Sequence, residues 1–156
     1  MRVGTGYDAH ALKAGRPLVL GGVTIPYEKG LEGYSDADVL VHAVMDALLG
    51  AAGLPDIGRQ FPTGDPQYDG ISSIRLLEKT GLLVGAEGFI IGNIDCVLIA
   101  QAPKIAPYLD QMCHNIAAAL QIEDSKVNVK GTTTDGLGFT GRGEGMAAQA
   151  VALLEE

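Results

Sequence analysis

The chain has 156 residues, is 47% hydrophobic and carries a formal net charge of −8. That length fits a single domain spanning residues 1–156, with enough apolar side chains to bury a core without disulfide or metal staples. The acidic balance argues against a broad nucleic-acid or anionic-membrane surface, although a few local cations still admit an anionic substrate.

The run 2–8 reads as a strand that ends at Asp8-Ala9-His10. Side chains two residues apart on a strand share a face, so Asp8 and His10 point the same way. Gly15-Arg16-Pro17 is a turn, and Leu18-Val19-Leu20 and Val23-Thr24-Ile25 flank Gly21-Gly22 as a hairpin closed by Pro26. Residues 27–34 form a glycine-containing loop. Ser35-Asp36-Ala37-Asp38 then has the composition of a helix start. Ser35 is the cap, Asp36 favours the positive end of the dipole, and Asp38 stands where a capping-box acid belongs. Apolar positions at helical spacing carry this helix to about Ala52, and Asp38, His42 and Asp46 form a polar stripe opposite them.

Residues 53–70, with Pro55, Pro62 and Pro66, read as a long loop of the kind that is functional or mobile. A helix follows over 71–83, with Gly81 weakening its end, and then a buried strand over 89–100. Pro103 and Pro107 bracket the start of a helix that runs to Leu120. A strand over 126–130 leads through Gly131-Thr132-Thr133-Thr134-Asp135 into the glycine-rich turn 136–145. The period of 146–154 fits helix or strand, and strand is chosen because 126–133 otherwise lacks a sheet partner. The expected fold is α+β, a mixed sheet with helices packed on one face. Cys96 and Cys113 form no CxxC motif and read as reduced thiols of a soluble cytoplasmic protein. No leader pattern or long apolar span interrupts that expectation.

A carboxylate and an imidazole on one strand face supply two of the three protein ligands of an open zinc site. The chain has three histidines, so the third ligand is His42 or His114. Asp38 and Asp46, one turn either side of His42, are placed to orient its ring. His114 sits mid-helix beside Cys113 and Asn115, with no acidic neighbour. The residues favour His42 but leave the choice open. Thr132-Thr133-Thr134, preceded by Lys130-Gly131, offers hydroxyls and N–H groups to a phosphate, and equally reads as a threonine run ending a strand. Gln101-Ala102-Pro103-Lys104 puts a cation at a helix start, where it meets a phosphate or a pyrimidine edge or merely solvates the turn. Asp56-Ile57-Gly58 fits diol binding or a plain turn.

Several segments, in this order, resemble the 2-C-methyl-D-erythritol 2,4-cyclodiphosphate synthase family over nearly the whole chain. They are Gly6-Tyr7-Asp8-Ala9-His10, the stretch Gly21 to Gly30, Ser35-Asp36-Ala37-Asp38, Asp56-Ile57-Gly58, Gln101-Ala102-Pro103-Lys104 and Gly138-Phe139-Thr140-Gly141-Arg142. The resemblance implies a trimer-forming fold of the Bacillus chorismate mutase-like type. It implies a homotrimer with active sites between neighbouring subunits. It also implies a phosphorus–oxygen lyase of the non-mevalonate isoprenoid pathway. Such an enzyme turns 4-diphosphocytidyl-2-C-methyl-D-erythritol 2-phosphate into the 2,4-cyclodiphosphate and CMP.

Residue by residue, the resemblance implies one zinc per subunit on Asp8, His10 and His42, and a magnesium or manganese ion near Asp135 bridging the diphosphate. Catalytic roles fall to Tyr34, Thr133 and Asp135. Substrate contacts fall to Asp8, His10, Tyr34 and Ser35, to Asp56 and Gly58 at the ribose, and to Thr132 and Thr133 at the phosphates. The segment Ala100 to Ala106, including Pro103, Lys104, Ile105 and Ala106, is the implied cytidine pocket. Phe139 and Arg142 match residues lining a central cavity able to hold an isoprenoid phosphate. No nucleic acid or membrane partner is implied.

Three positions depart from the family pattern. Tyr34 stands where histidine is usual, Asp135 where glutamate is usual, and Thr63-Gly64 where an acid-threonine pair is usual. They read as neutral drift, or as a slower enzyme with altered metal preference. Two rival functions follow. One is a trimeric isoprenoid-phosphate-binding relative with reduced catalysis. The other is a metal-dependent phosphohydrolase, which leaves the cytidine-pocket segment without a role.

Overall fold

The computed structural model describes residues Met1–Glu156. The chain runs β1 (Arg2–Ala14), β2 (Leu18–Leu20), β3 (Val23–Ile25), β4 (Lys29–Leu31), α1 (Val39–Ala52), α2 (Ile57–Gln60), α3 (Ser73–Ala86), β5 (Ile90–Ile99), α4 (Leu109–Leu120), β6 (Val127–Thr132), α5 (Gly138–Gly141) and β7 (Gly145–Glu155). Five strands form one sheet in the order β4-β1-β7-β5-β6, and β2-β3 is a separate hairpin. The β5–β6 pair is parallel, whereas β1–β7 and β5–β7 are antiparallel. The sheet is therefore mixed, and the α+β reading holds. β7 is a strand, as chosen, but its partners are β1 and β5, and β6 pairs with β5 at the sheet edge. Long-range pairing of that kind leaves no local pattern to read.

The helices cover one sheet face because β1 and β7 present small residues there. Register puts Gly4 opposite Ala152, Gly6 opposite Ala150 and Asp8 opposite Ala148. A Cβ added at Gly4 would collide with the carbonyl of Ala47, and one at Gly6 with the carbonyl of Ala43. Glycine at these positions lets α1 lie directly on β1, backbone against strand. A cluster of 36 buried apolar residues fills the space between the layers, among them Leu40, Met45, Leu48 and Leu77. The opposite sheet face leaves Val3, Tyr7 and Val151 exposed. No helix is long and apolar enough to cross a membrane.

Several boundaries differ from expectation. β1 runs on to Ala14, because its last residues pair with β4 inside what reads as a loop. The stretch 53–70 contains α2, whose N-cap Asp56 accepts from the Arg59 backbone N–H. The next helix is shifted to Ser73–Ala86, with Gly81 in its interior. A short 3-10 turn over Ala106–Tyr108 delays α4 to Leu109. The hairpin forms as expected, since Gly21 (φ 57°) and Gly22 (φ 73°) supply the two left-handed positions of its turn.

The start of α1 is the clearest correction. Asp38, not Ser35, is the N-cap, and its Oδ1 accepts from the Val41 backbone N–H at 3.1 Å. The same fully buried carboxylate accepts from Gly21 N–H at 2.9 Å and Gly22 N–H at 2.8 Å. It latches the hairpin turn to the helix. Burial and the charge of Asp36 push the Asp38 carboxyl up to about 6, against the pull of the three N–H donors.

Candidate active site

β1 carries Asp8 and His10 on its helix-covered side, and the close seat of α1 on Gly4 and Gly6 brings His42 over them. His10 Nε2 lies 2.8 Å from Asp8 Oδ2. His42 Nδ1 lies 3.1 Å from the same oxygen and 3.3 Å from His10 Nε2. Four bonds of about 2.0–2.1 Å to a tetrahedral zinc would separate neighbouring donors by roughly 3.3 Å. The triangle of two imidazole nitrogens and one carboxylate oxygen is slightly tighter than that, and its donor types suit zinc. Burial alone would raise the Asp8 carboxyl, but the hydrogen bonds and positive charge of His10 and His42 outweigh it and hold Asp8 down at about 2. Burial works against a charged His10, and Asp8 overcomes it, so His10 is raised above an ordinary histidine.

The other His42 nitrogen is also engaged. Nε2 lies 2.9 Å from Ser73 Oγ and 3.3 Å from Ser35 Oγ. Asp38 and Asp46 do not orient this ring. Asp38 is spent on the hairpin latch, and Asp46 accepts from the Ile57 backbone N–H at 2.9 Å. The polar stripe is buried at Asp38 and His42 and half-buried at Asp46, which is why its acids turned to backbone donors. Ser73 escaped the sequence reading because it comes from α3, 31 residues away. A serine in a first helical turn is ordinarily no more than a cap. His114 is removed from the choice. It is exposed and pairs with Asp124 at 3.0 Å, an acidic neighbour ten residues on that the reading missed.

Two hollows divide the remaining candidates. The first, of about 200 Å³, opens beside the donor triangle and is lined by Asp8, His10, Tyr34, Ser35, His42 and Gly58, with Phe61, Thr63 and Tyr68 from the loop after α2. Tyr34 donates its hydroxyl to the Asp65 carbonyl at 3.1 Å, and its pKa is raised by burial and by the carboxylates of Asp69 and Asp65. Asp56 itself is exposed and pairs with Arg59 at 3.0 Å.

The second hollow, of about 330 Å³, is lined by residues 100–106, Leu109, Gly131, Thr132 and Thr133. A side chain at Gly131 would press on Ile105, so glycine leaves this floor open. Ala100, Pro103, Lys104, Ile105 and Ala106 thus line one hollow with Thr132 and Thr133, two segments given separate roles in the sequence. Lys130 is not among them. Its Nζ lies 2.6 Å from Asp95 on the neighbouring strand. Asp135 is exposed, adopts φ 52°, and accepts from Thr133 Oγ1 at 3.2 Å. Phe139 borders a third hollow with Ala9, Glu144 and Gly145, and Arg142 is exposed and paired with Glu144 at 2.8 Å. The first two hollows share no lining residue within one chain.

A model of the YgbB family matches residues 1–155. A 2-C-methyl-D-erythritol 2,4-cyclodiphosphate synthase from Desulfatibacillum aliphaticivorans is 64% identical over 155 residues, covering 99% of this chain and 100% of the relative. Among solved structures, the bifunctional IspDF of Campylobacter jejuni superimposes with a TM-score of 0.94 at 43% identity, covering 98% of this chain and 42% of that longer one. IspF of Plasmodium falciparum, solved as a CDP complex, gives a TM-score of 0.86 at 36% identity over 98% of this chain and 94% of its own. With the same fold, near-complete coverage and a ready donor triangle, the chain belongs to the YgbB family, whose curated relatives here are 2-C-methyl-D-erythritol 2,4-cyclodiphosphate synthases.

Proposed function

We propose that this enzyme cyclises 4-diphosphocytidyl-2-C-methyl-D-erythritol 2-phosphate. An oxygen of the 2-phosphate bonds to the distal phosphorus of the diphosphate, the bond from that phosphorus to the CMP oxygen breaks, and CMP leaves with the electron pair. The observation that carries the reading is the Asp8/His10/His42 triangle opening into a hollow, in a chain 64% identical to a named synthase. Bound at the triangle, zinc would supply Lewis-acid stabilisation of phosphate charge, and magnesium or manganese near Asp135 would neutralise the diphosphate.

The chain's own groups supply position. Ser35 and Tyr34 border the metal-side hollow and face the end of the substrate that carries the attacking phosphate. Thr132 and Thr133, with hydroxyls exposed at the end of β6, hold the diphosphate. The apolar floor of Ala100, Ile105 and Leu109, with Lys104 at the rim, takes the cytidine. The CDP complex of the Plasmodium relative is in keeping with that role. Asp56 and Gly58 meet the ribose. The attacking group is already an anion, so holding both ends of one molecule together contributes most, and no strong base is required.

In the same reading the enzyme is a cytoplasmic homotrimer that builds each site from the metal-side hollow of one subunit and the nucleotide-side hollow of the next. Phe139 and Arg142 line a central cavity suited to an isoprenoid phosphate. The separation of the two hollows and the exposed Val3, Tyr7 and Val151 favour it. The test is incubation of the purified protein with the diphosphocytidyl substrate and magnesium. CMP and the cyclic diphosphate are expected together, with loss of both after chelation and return on adding zinc. Linear phosphate release without a cyclic product would favour a hydrolase, and no CMP with any divalent metal would favour a binding protein.

A further inference from the structure

His42 has two ring nitrogens and only one can face a cation. Its Nδ1 belongs to the donor triangle, and its Nε2 lies 2.9 Å from Ser73 Oγ. Ser73 is fully buried. Its Oγ donates to Asp36 Oδ1 at 2.5 Å and its backbone N–H donates to Asp36 Oδ2 at 3.0 Å. Asp36 Oδ1 also accepts from the Asp38 backbone N–H at 3.1 Å. Every group around this carboxylate is thus a donor, and an ionised carboxylate can only accept.

The directions then follow along the chain of contacts. Ser73 has one hydroxyl proton, and it goes to Asp36. The Ser73 oxygen can therefore only accept from His42, so Nε2 carries the ring proton. Nδ1 then offers its lone pair to a cation in the triangle, whereas in the metal-free ring Asp8 Oδ2, 3.1 Å from Nδ1, competes with Ser73 Oγ, 2.9 Å from Nε2, for the ring proton. Ser35 Oγ is farther from Nε2, at 3.3 Å, and accepts from the Ala37 backbone N–H at 3.2 Å. A shared Nε2–H leaves the Ser35 proton free for the hollow that Ser35 lines.

We propose that Asp36 and Ser73 are positioning residues that lock the His42 tautomer and so aim its Nδ1 lone pair at the bound cation. The inference rests on the metal-site reading above. Neither residue lines the metal-side hollow. Their part is to make the donor triangle ready before metal arrives, as partners of metal-bound histidines do elsewhere, where their loss costs roughly 10–100-fold in metal affinity.

Long-range proton–nitrogen NMR of the ring in metal-free, nitrogen-15-labelled protein at about pH 8, where an ordinary histidine is neutral, reads the tautomer directly. The Nε2–H form is expected for His42, and an Nδ1–H form in the wild-type protein would overturn the proposal whether or not any variant folds. In Asp36→Asn the side-chain amide can donate to Ser73 Oγ, turning the serine proton toward Nε2. The ring then shifts toward Nδ1–H, and zinc affinity, measured by competition with a chromogenic chelator, falls about 10–100-fold. Ser73→Ala gives a similar fall, and Ser73→Thr, which keeps the hydroxyl, restores most of it. Wild-type protein that binds zinc while Asp36→Asn and Ser73→Ala bind it equally well would defeat the relay alone. Wild-type protein that binds no zinc would defeat the metal-site reading, a result told apart by the tautomer, which is measured without metal.

Discussion

Tyr34 sits in the wall of the metal-side hollow with both ends tied to the loop after α2. Its hydroxyl donates to the Asp65 carbonyl at 3.1 Å, and its own carbonyl accepts from the Gly70 backbone N–H at 2.9 Å. A phenol keeps a donor there but cannot become a cation near neutral pH. An imidazole is shorter, gives up the Asp65 tether and turns its donor toward Asp8 and His10. Tyr34→His is therefore expected to leave the rate of CMP release unchanged or to raise it, measured by steady-state turnover at saturating metal. A fall of about tenfold or more in kcat would mean that the tether itself is needed for transition-state geometry. Asp135 is the quieter departure. Its φ of 52° lies in the left-handed region, which aspartate tolerates better than most side chains. Gly136 beside it is also left-handed, at φ 79°. A short acid thus suits this backbone.

At the scale of elements, Asp38 decides how α1 meets the hairpin. One carboxylate satisfies three backbone donors, the buried ones of Gly21 and Val41 and the half-buried one of Gly22. Leaving a buried donor unpaired costs about 1–3 kcal/mol each, so with two buried donors Asp38→Ala is expected to lose at least ~2 kcal/mol of folding stability. Asp38→Asn keeps one acceptor and should lose less. Urea unfolding midpoints at constant slope measure both, and a loss below about 1 kcal/mol in Asp38→Ala would show that water or backbone shifts replace the latch. Legibility divides along the same line. Gly21-Gly22 announced its hairpin because a tight turn has a local code, and the period of 39–52 announced its helix. The roles of Asp38, Asp46 and Ser73 were not legible, since each is set by a partner that only tertiary packing supplies. Asp8, His10 and His42 were legible as ligand types. What joins them is Gly4 and Gly6, whose missing side chains let α1 descend onto β1.

At the scale of the molecule, β1 and β5 run parallel on either side of β7, so His10 and Ile99 reach the same end of the sheet, opposite Met146 and Ala147. The donor triangle and the nucleotide-side hollow are brought to one end of the fold and yet open separately. A substrate with a sugar phosphate at one end and a cytidine at the other needs both. If neighbouring subunits join these halves, two inactive variants can repair each other. His42→Ala removes the metal half, and Thr132→Trp, at an exposed lining position, fills the nucleotide half. Each alone is expected to release no CMP. Co-expressed in equal amounts with random mixing, half the subunits keep each half-site, so about a quarter of the sites draw both halves from intact surfaces. Activity near a quarter of wild type, measured on the mixed protein with zinc and magnesium present, is the expected result. A mixture as inactive as its parents, despite heteromer formation seen by native mass spectrometry, would place the whole reaction within one chain and overturn the shared site.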